Sequence, residues 1–261
     1  MMTKTILITT VLLILLPSSA SAAVGSPYPS STLGYDVSFP TLSYPTWFHF
    51  AIVSVTRGKA FRNNEKLAHQ YSWAKFGSHT APTVYMNLNA PYGSTVAGNI
   101  NSPKPCPPRD TAATSTEPTT CEGYNYGYSA ANDAYTYAKS AGVESRLWWL
   151  DIEEANSWSD TLAVNGATIQ GAIDSLNTQG IRVGIYSMPY MWNNIAGKGF
   201  IPTQTLEGTP VPIPLWLPVG IKTLVGAINT CVTAKSFIAG NPIWLIQYVA
   251  NSTAIDQNLA C

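Results

Sequence analysis

Short apolar runs rich in β-branched and aromatic residues recur along this chain, with helix-patterned stretches between them. The strand candidates are residues 33–38, 48–57 (FHFAIVSVTR), 83–88 (TVYMNL), 146–153 (RLWWLDIE), 182–187 (RVGIYS), 214–219 (PLWLPV) and 242–249 (PIWLIQYV). Helical spacing falls at 63–76, 127–141, 162–179, 189–195 and 221–237. Strands alternating with helices imply a parallel sheet. About seven or eight such strands in 261 residues suit a β/α barrel. The expected fold is therefore α/β: one irregular, TIM-like (β/α) barrel over residues 23–261. A doubly wound open sheet is the competing architecture. Against it, the first strand leads to Asp36 rather than to a Gly-rich phosphate loop.

The stretch at 146–153 carries the chemistry. In a strand, side chains alternate between faces. Trp149, Asp151 and Glu153 then share one side, while Trp148, Leu150 and Ile152 share the other. One face is apolar throughout and the other ends in two carboxylates. Such groups at a strand exit are costly unless solvated, paired or used. The plain alternative is that Asp151 caps the next loop and Glu153 meets solvent. In a β/α barrel, however, chemistry collects where strands end. Asp36 also lies at such an end, and Asp256 closely follows another strand.

Residues 90–125 break the rhythm. This stretch is dense in Gly, Pro, Ser and Thr, and it reads as a surface insertion of the kind that walls a cleft. It holds Cys106 and Cys121; Cys231 and Cys261 are the remaining cysteines. Three pairings are possible. Cys106–Cys121 would close the insertion and Cys231–Cys261 would tie down the C-terminal residue, and this pairing is preferred.

Residues 1–22 read as a signal peptide: Lys4, an apolar run from Ile6 to Leu16, and a small-residue site at Ala20-Ser21-Ala22. A secreted, extracellular protein with two disulfides follows, with no membrane insertion. Without the leader's Lys4, 13 basic residues (14 − 1) face 14 acidic ones, a net charge near −1. That balance gives no handle for nucleic acid. Charged residues make up only 11%, while Tyr and Trp number 14 and 8, a bias that suits neutral ring-shaped ligands such as sugars. His49, His69 and His79 lack metal-ligand spacing, so no metal or cofactor is expected. A monomer is expected. Asn251-Ser252-Thr253 is a glycosylation sequon, relevant only in a eukaryotic secretory route.

Paired carboxylates suit glycosidic bond cleavage. One acid protonates the leaving oxygen and an ionised neighbour stabilises the cationic or cyclised intermediate. Glu153, at the outer end, is assigned as acid/base. Asp151 is expected to stay ionised, with Asp36 and Asp256 tuning the pair. Tyr85, Trp158, Tyr186 and Gln247 are candidates for substrate contacts, and each could equally be core or rim.

The motifs Gly34-Tyr35-Asp36-Val37-Ser38, Trp149-Leu150-Asp151-Ile152-Glu153, Gly184-Ile185-Tyr186-Ser187 and Trp244-Leu245-Ile246-Gln247-Tyr248, followed by Asp256 and Asn258, occur in that order. Together they resemble glycoside hydrolase family 25, the Chalaropsis-type lysozymes, in a divergent secreted branch. The resemblance implies a flattened β/α barrel and cleavage of the β-1,4 bond between N-acetylmuramic acid and N-acetylglucosamine in peptidoglycan. It also implies that Glu153 is the acid/base, and that Asp151 assists participation by the substrate's own acetamido group. Three stretches depart from the family pattern: Tyr85-Met86-Asn87, Thr56-Arg57-Gly58 and Leu215-Trp216-Leu217-Pro218. These leave room for a different glycan, or for a non-catalytic carbohydrate-binding or cell-surface protein on the same barrel. A carboxylate-dependent metal hydrolase is a third reading.

Overall fold

The computed structural model describes residues 25–38, 44–91, 98–108, 117–250 and 255–261. The expected signal peptide and the Asn251 sequon lie outside them. In chain order the elements are β1 (Leu33–Val37), β2 (Phe50–Ser54), α1 (Leu67–Gly77), β3 (Thr83–Asn87), α2 (Thr120–Ser140), β4 (Leu147–Asp151), α3 (Leu162–Thr178), β5 (Arg182–Tyr186) and α4 (Pro189–Ile195). There follow a small hairpin of β6 (Thr205–Leu206) and β7 (Thr209–Pro210), then β8 (Leu215–Ile221), α5 (Leu224–Thr233), β9 (Ile243–Val249) and β10 (Gln257–Ala260).

Eight of these strands close a barrel in the order β1-β10-β9-β8-β5-β4-β3-β2. The expected α/β barrel is thus the fold. Its irregularity is β10, which runs antiparallel to both β1 and β9 while the other barrel pairs are parallel. The sequence reading left 257–260 as a tail. Four residues with two polar side chains offer no local strand pattern, and it is pairing with β1 and β9 that makes them one.

The period-two reading of β4 holds. Trp149 joins Phe50, Ile52, Tyr85, Trp216, Trp244 and Leu245 inside the barrel. Trp148, Leu150 and Ile152 pack outward in the larger layer beneath the helices. The Ser/Pro-rich stretch 23–31 reads in sequence as a loose lead-in, yet Tyr28 is buried among the interior residues. Its hydroxyl meets Thr83 Oγ1 at 2.7 Å and accepts from Trp149 Nε1 at 3.1 Å. Burying a Tyr ring requires a partner for its hydroxyl, and the interior supplies two.

Helix α2 starts earlier than its Ala-rich pattern indicates. Thr119 caps it, accepting from the Glu122 N–H, and the Glu122 side chain accepts from the Thr119 N–H in return. The helix carries Gly127, where a Cβ would lie 1.9 Å from the Thr168 carbonyl oxygen. On α3, a Cβ at Gly171 would lie 2.0 Å from the Tyr124 carbonyl oxygen. The two helices therefore meet backbone to backbone, which glycine alone permits.

Both preferred disulfides are present, Cys106–Cys121 and Cys231–Cys261. The described part of the insertion is fastened to α2, with Asn125 Nδ2 donating to the carbonyl oxygens of Ile100 and Lys104. No helix among the described residues is long and apolar enough to cross a membrane.

Candidate active site

At the C-terminal ends of the parallel strands lies an open cavity of about 320 Å³, within the range of small-ligand pockets. Asp36, Asp151, Glu153 and Asp256 all line it, so the four carboxylates share one mouth. Asp36 is at the end of β1 and Asp151 ends β4. Glu153 lies two residues beyond β4, and Asp256 just precedes β10.

Glu153 stays on the inner face because the ladder continues past the strand. The Ile152 N–H donates to the Tyr186 carbonyl oxygen at 3.0 Å, which preserves the alternation. The chain then turns, and Trp158 Nε1 donates to the Glu153 carbonyl oxygen at 2.8 Å. Trp158 does not line the cavity, contrary to its expected place against substrate. It is half-buried against the outer core and fastens the loop that presents Glu153.

Tyr85, Tyr186 and Gln247 do line the cavity. Gln247 Nε2 donates to Asp36 Oδ1 at 3.0 Å, and Tyr186 donates its hydroxyl to Gln247 Oε1 at 2.8 Å. Asn258 Nδ2 also donates to Asp36 Oδ1 at 2.7 Å, while Asn258 Oδ1 accepts from Trp216 Nε1 at 2.8 Å. Trp216, with its ring 4.7 Å from Tyr186, 5.7 Å from Trp149 and 6.1 Å from Tyr85, forms an aromatic floor. Glu154 points elsewhere: it is exposed and accepts from Asn194 Nδ2 at 2.6 Å.

Sequence reasoning missed Asn87 as a site residue and noted it only as a departure. Asn87 lines the cavity, and its Nδ2 donates to Asp151 Oδ2 through a short hydrogen bond. Lys59, another lining residue, was missed as well. The signal for Asn87 was its period: it stands two residues after Tyr85 on the same strand face.

Burial dominates the electrostatics. It raises Asp36 to about 7, helped by the charge on Asp256 and opposed by the bonds from Gln247 and Asn258. It raises Asp151 well above the carboxylate range, reinforced by the nearby Glu153 and Asp36 charges. Glu153 is raised by burial too, with Asp256 adding and Tyr186 and Asp151 opposing. Asp256 is raised by burial alone. Burial thus works against the expected ionised Asp151 and favours its neutral form. Asp151 is only 7% exposed, and its Oδ1 has no hydrogen-bond donor. A proton held there toward Glu153 satisfies both carboxyls, so the pair titrates as a unit. Tyr186 has a single hydroxyl proton. In this structure it serves Gln247, while the same hydroxyl oxygen lies beside Glu153.

Among the described residues, no group of three or more His, Cys, Asp or Glu side chains is arranged to hold a metal ion.

The closed barrel with acidic groups at its C-terminal mouth is similar in fold to solved lysozymes. A family model described as Lysozyme-like protein 1 matches residues 116–216. Counting factor 45-1 of Dictyostelium discoideum is 30% identical over 79 residues, 30% of this chain and 26% of that protein. Lysozyme-like protein 5 of Caenorhabditis elegans is 37% identical over 86 residues, 32% of this chain and 36% of that protein. The matched stretches thus span about a quarter to a third of these curated relatives. A family GH25 lysozyme from Aspergillus fumigatus shares the fold with a TM-score of 0.55 at 13% identity, covering 89% of this chain and 94% of that one. The chain thus shares its barrel fold with a GH25 lysozyme and is similar to lysozyme-like sequences over part of its length.

Proposed function

We propose that this protein is a secreted glycoside hydrolase that cleaves β-1,4 bonds in peptidoglycan or a related N-acetylhexosamine glycan. The observation that carries the reading is the meeting of Asp36, Asp151, Glu153 and Asp256 in one open cleft above an aromatic floor. Sugar rings present apolar faces that aromatic side chains can cover. A cleft with clustered carboxyls supplies both a proton and a negative charge.

In this reading Glu153 is the acid/base. It is half-buried and open to the cavity, so a glycosidic oxygen can reach it. The resting proton starts on Asp151 and passes to Glu153 as substrate binds. Glu153 then gives it to the leaving oxygen, and the C1–O bond breaks with its electron pair on that oxygen. Asp151 is left ionised, beside the positive charge that develops at C1 or on a cyclised acetamido group. Water adds in the second half, with Glu153 taking back a proton. Asp36, held by Gln247 and Asn258, sets the field under the pair. Tyr85, Tyr186 and Gln247 contact the sugar.

Residues 1–22 serve as a secretion signal and 23–261 as the working unit, a monomer. The two disulfides fit an oxidising compartment.

Purified protein incubated with peptidoglycan should release soluble fragments with new reducing ends, and Glu153→Gln should release none while keeping the wild-type melting curve. Binding to the polymer without release by the wild type would instead favour a carbohydrate-binding barrel.

A further inference from the structure

We infer that Asn87, locked by Thr56, is a positioning residue that holds the Asp151 proton on Oδ1, between Asp151 and Glu153. The clamp is read from geometry alone; only the use made of the proton rests on the glycosidase reading.

The hydrogen-bond directions follow from one fixed donor. The Asn87 backbone N–H donates to Thr56 Oγ1 at 2.8 Å, so that hydroxyl oxygen is an acceptor there. The Thr56 hydroxyl proton then has Asn87 Oδ1 as its partner, at 2.9 Å. With Oδ1 on the Thr56 hydroxyl, the Asn87 amide presents its NH2 group to Asp151, and Nδ2 donates to Asp151 Oδ2. Thr56 and Asn87 are 2% and 9% exposed, so water does not compete freely for this chain. A donor aimed at Oδ2 holds that atom as the acceptor oxygen of the carboxyl. A proton on Asp151 therefore sits on Oδ1, the oxygen that lacks a donor. Asp151 and Glu153 are in side-chain hydrogen-bond contact, so a proton on Oδ1 has the Glu153 carboxylate as its neighbouring acceptor.

The other ionisable groups around the pair are Asp36 from β1, Tyr85 from β3, Tyr186 from β5, Asp256 before β10 and Lys59 in the loop after β2. None of these bonds Asp151 Oδ1 in this structure. The clamp thus decides which oxygen is protonated, and with it the direction of transfer. Asp151 Oδ1 loses its proton to Glu153, and the resulting carboxylate keeps the Asn87 N–H on Oδ2. The amide bond strengthens as the charge appears, which favours the transfer.

The test is a carboxyl-carbon NMR titration of the full chain labelled at Asp, with Asp151 assigned by the signal lost in Asp151→Asn. Asn87→Leu removes the donor to the charged form, and Thr56→Val frees the amide to flip its oxygen toward Asp151. Each should raise the Asp151 midpoint by about one pH unit, while Thr56→Ser keeps it at the wild-type value. An unmoved midpoint in both folded variants, or a Thr56→Ser shift equal to that of Thr56→Val, overturns the clamp. If Asn87→Leu does not fold, the two Thr56 variants decide. In peptidoglycan cleavage, Thr56→Val should lower kcat about tenfold with KM unchanged. A wild type that cleaves nothing overturns the glycosidase reading alone, because the titration still judges the clamp.

Discussion

Trp158 donates its indole N–H to the backbone carbonyl oxygen of Glu153, five residues earlier, at 2.8 Å. This ties the loop after β4 back on itself and fixes where the Glu153 side chain starts. Trp158→Phe keeps the ring and removes the donor. It should cost about 1 kcal/mol of stability, as a half-buried hydrogen bond does. It should also lower the rate of glycan cleavage by about tenfold, since misplacing a reacting acid by a fraction of an ångström is felt in kcat. Thermal melting and initial rates measured on the same preparation check both effects.

Asp36 makes folding pH-dependent in an unusual direction. Its folded value is raised to about 7 by burial and by the Asp256 charge. A carboxyl raised on folding contributes stability that is full below its unfolded value, roughly pH 4, and is lost as pH rises through about 7. The protein should therefore be more resistant to urea at pH 4.5 than at pH 8, by roughly 1 kcal/mol or more. Asp36→Asn keeps a carbonyl oxygen for Gln247 and Asn258, and it should flatten this dependence. Urea titrations of both proteins across that range provide the check.

The α2–α3 contact should tolerate no side chain at Gly127. A methyl group there would sit 1.9 Å from the Thr168 carbonyl oxygen, so one backbone must move. Gly127→Ala should cost about 3 kcal/mol or more, although alanine is the better helix former. Gly142, with nothing within 4 Å of an added Cβ, has φ +79° as a helix stop. There alanine should cost about 1 kcal/mol through backbone strain alone. Denaturation midpoints of the two variants, compared side by side, separate collision from strain.

The Cys231–Cys261 bridge ties α5 to the end of β10, the strand that carries Asn258. It closes a loop of 30 residues, which in chain-entropy terms is worth about 3.6 kcal/mol. A Cys231→Ser/Cys261→Ser protein should lose that much stability. Amide exchange in β10 should quicken before exchange in β4 does.

Much of the barrel was legible because its strands are locally patterned. The alternation in β4 assigned Trp149 to the interior and Trp148 to the outer layer before any pairing was known. The same alternation put Asp151 and Glu153 on one face. The convergence of Asp36 and Asp256 with them followed from strand ends sharing one rim. What stayed hidden depends on partners distant in sequence. Tyr28 looked like part of a loose Ser/Pro lead-in, because its place is defined by Thr83 and Trp149. The short β10 became a strand only through β1 and β9. Asn87 looked like a departure from a family pattern until Thr56 on one side and Asp151 on the other gave its amide a direction. The upward shift of the Asp151 carboxyl stayed hidden for a related reason. Burial, the neighbouring Glu153 charge and the Asp36 charge from another strand end set it, and no single stretch contains all three.

The central claim is that Glu153 delivers a proton to a glycosidic oxygen in the mouth of this barrel. The most direct measurement is borohydride reduction of peptidoglycan digested by the wild type and by Glu153→Gln, followed by mass spectrometry of the reduced ends. The wild type should give reduced N-acetylmuramic acid at new chain ends, and Glu153→Gln none above background. No new ends from a folded wild type, or equal release by the two proteins, would contradict it.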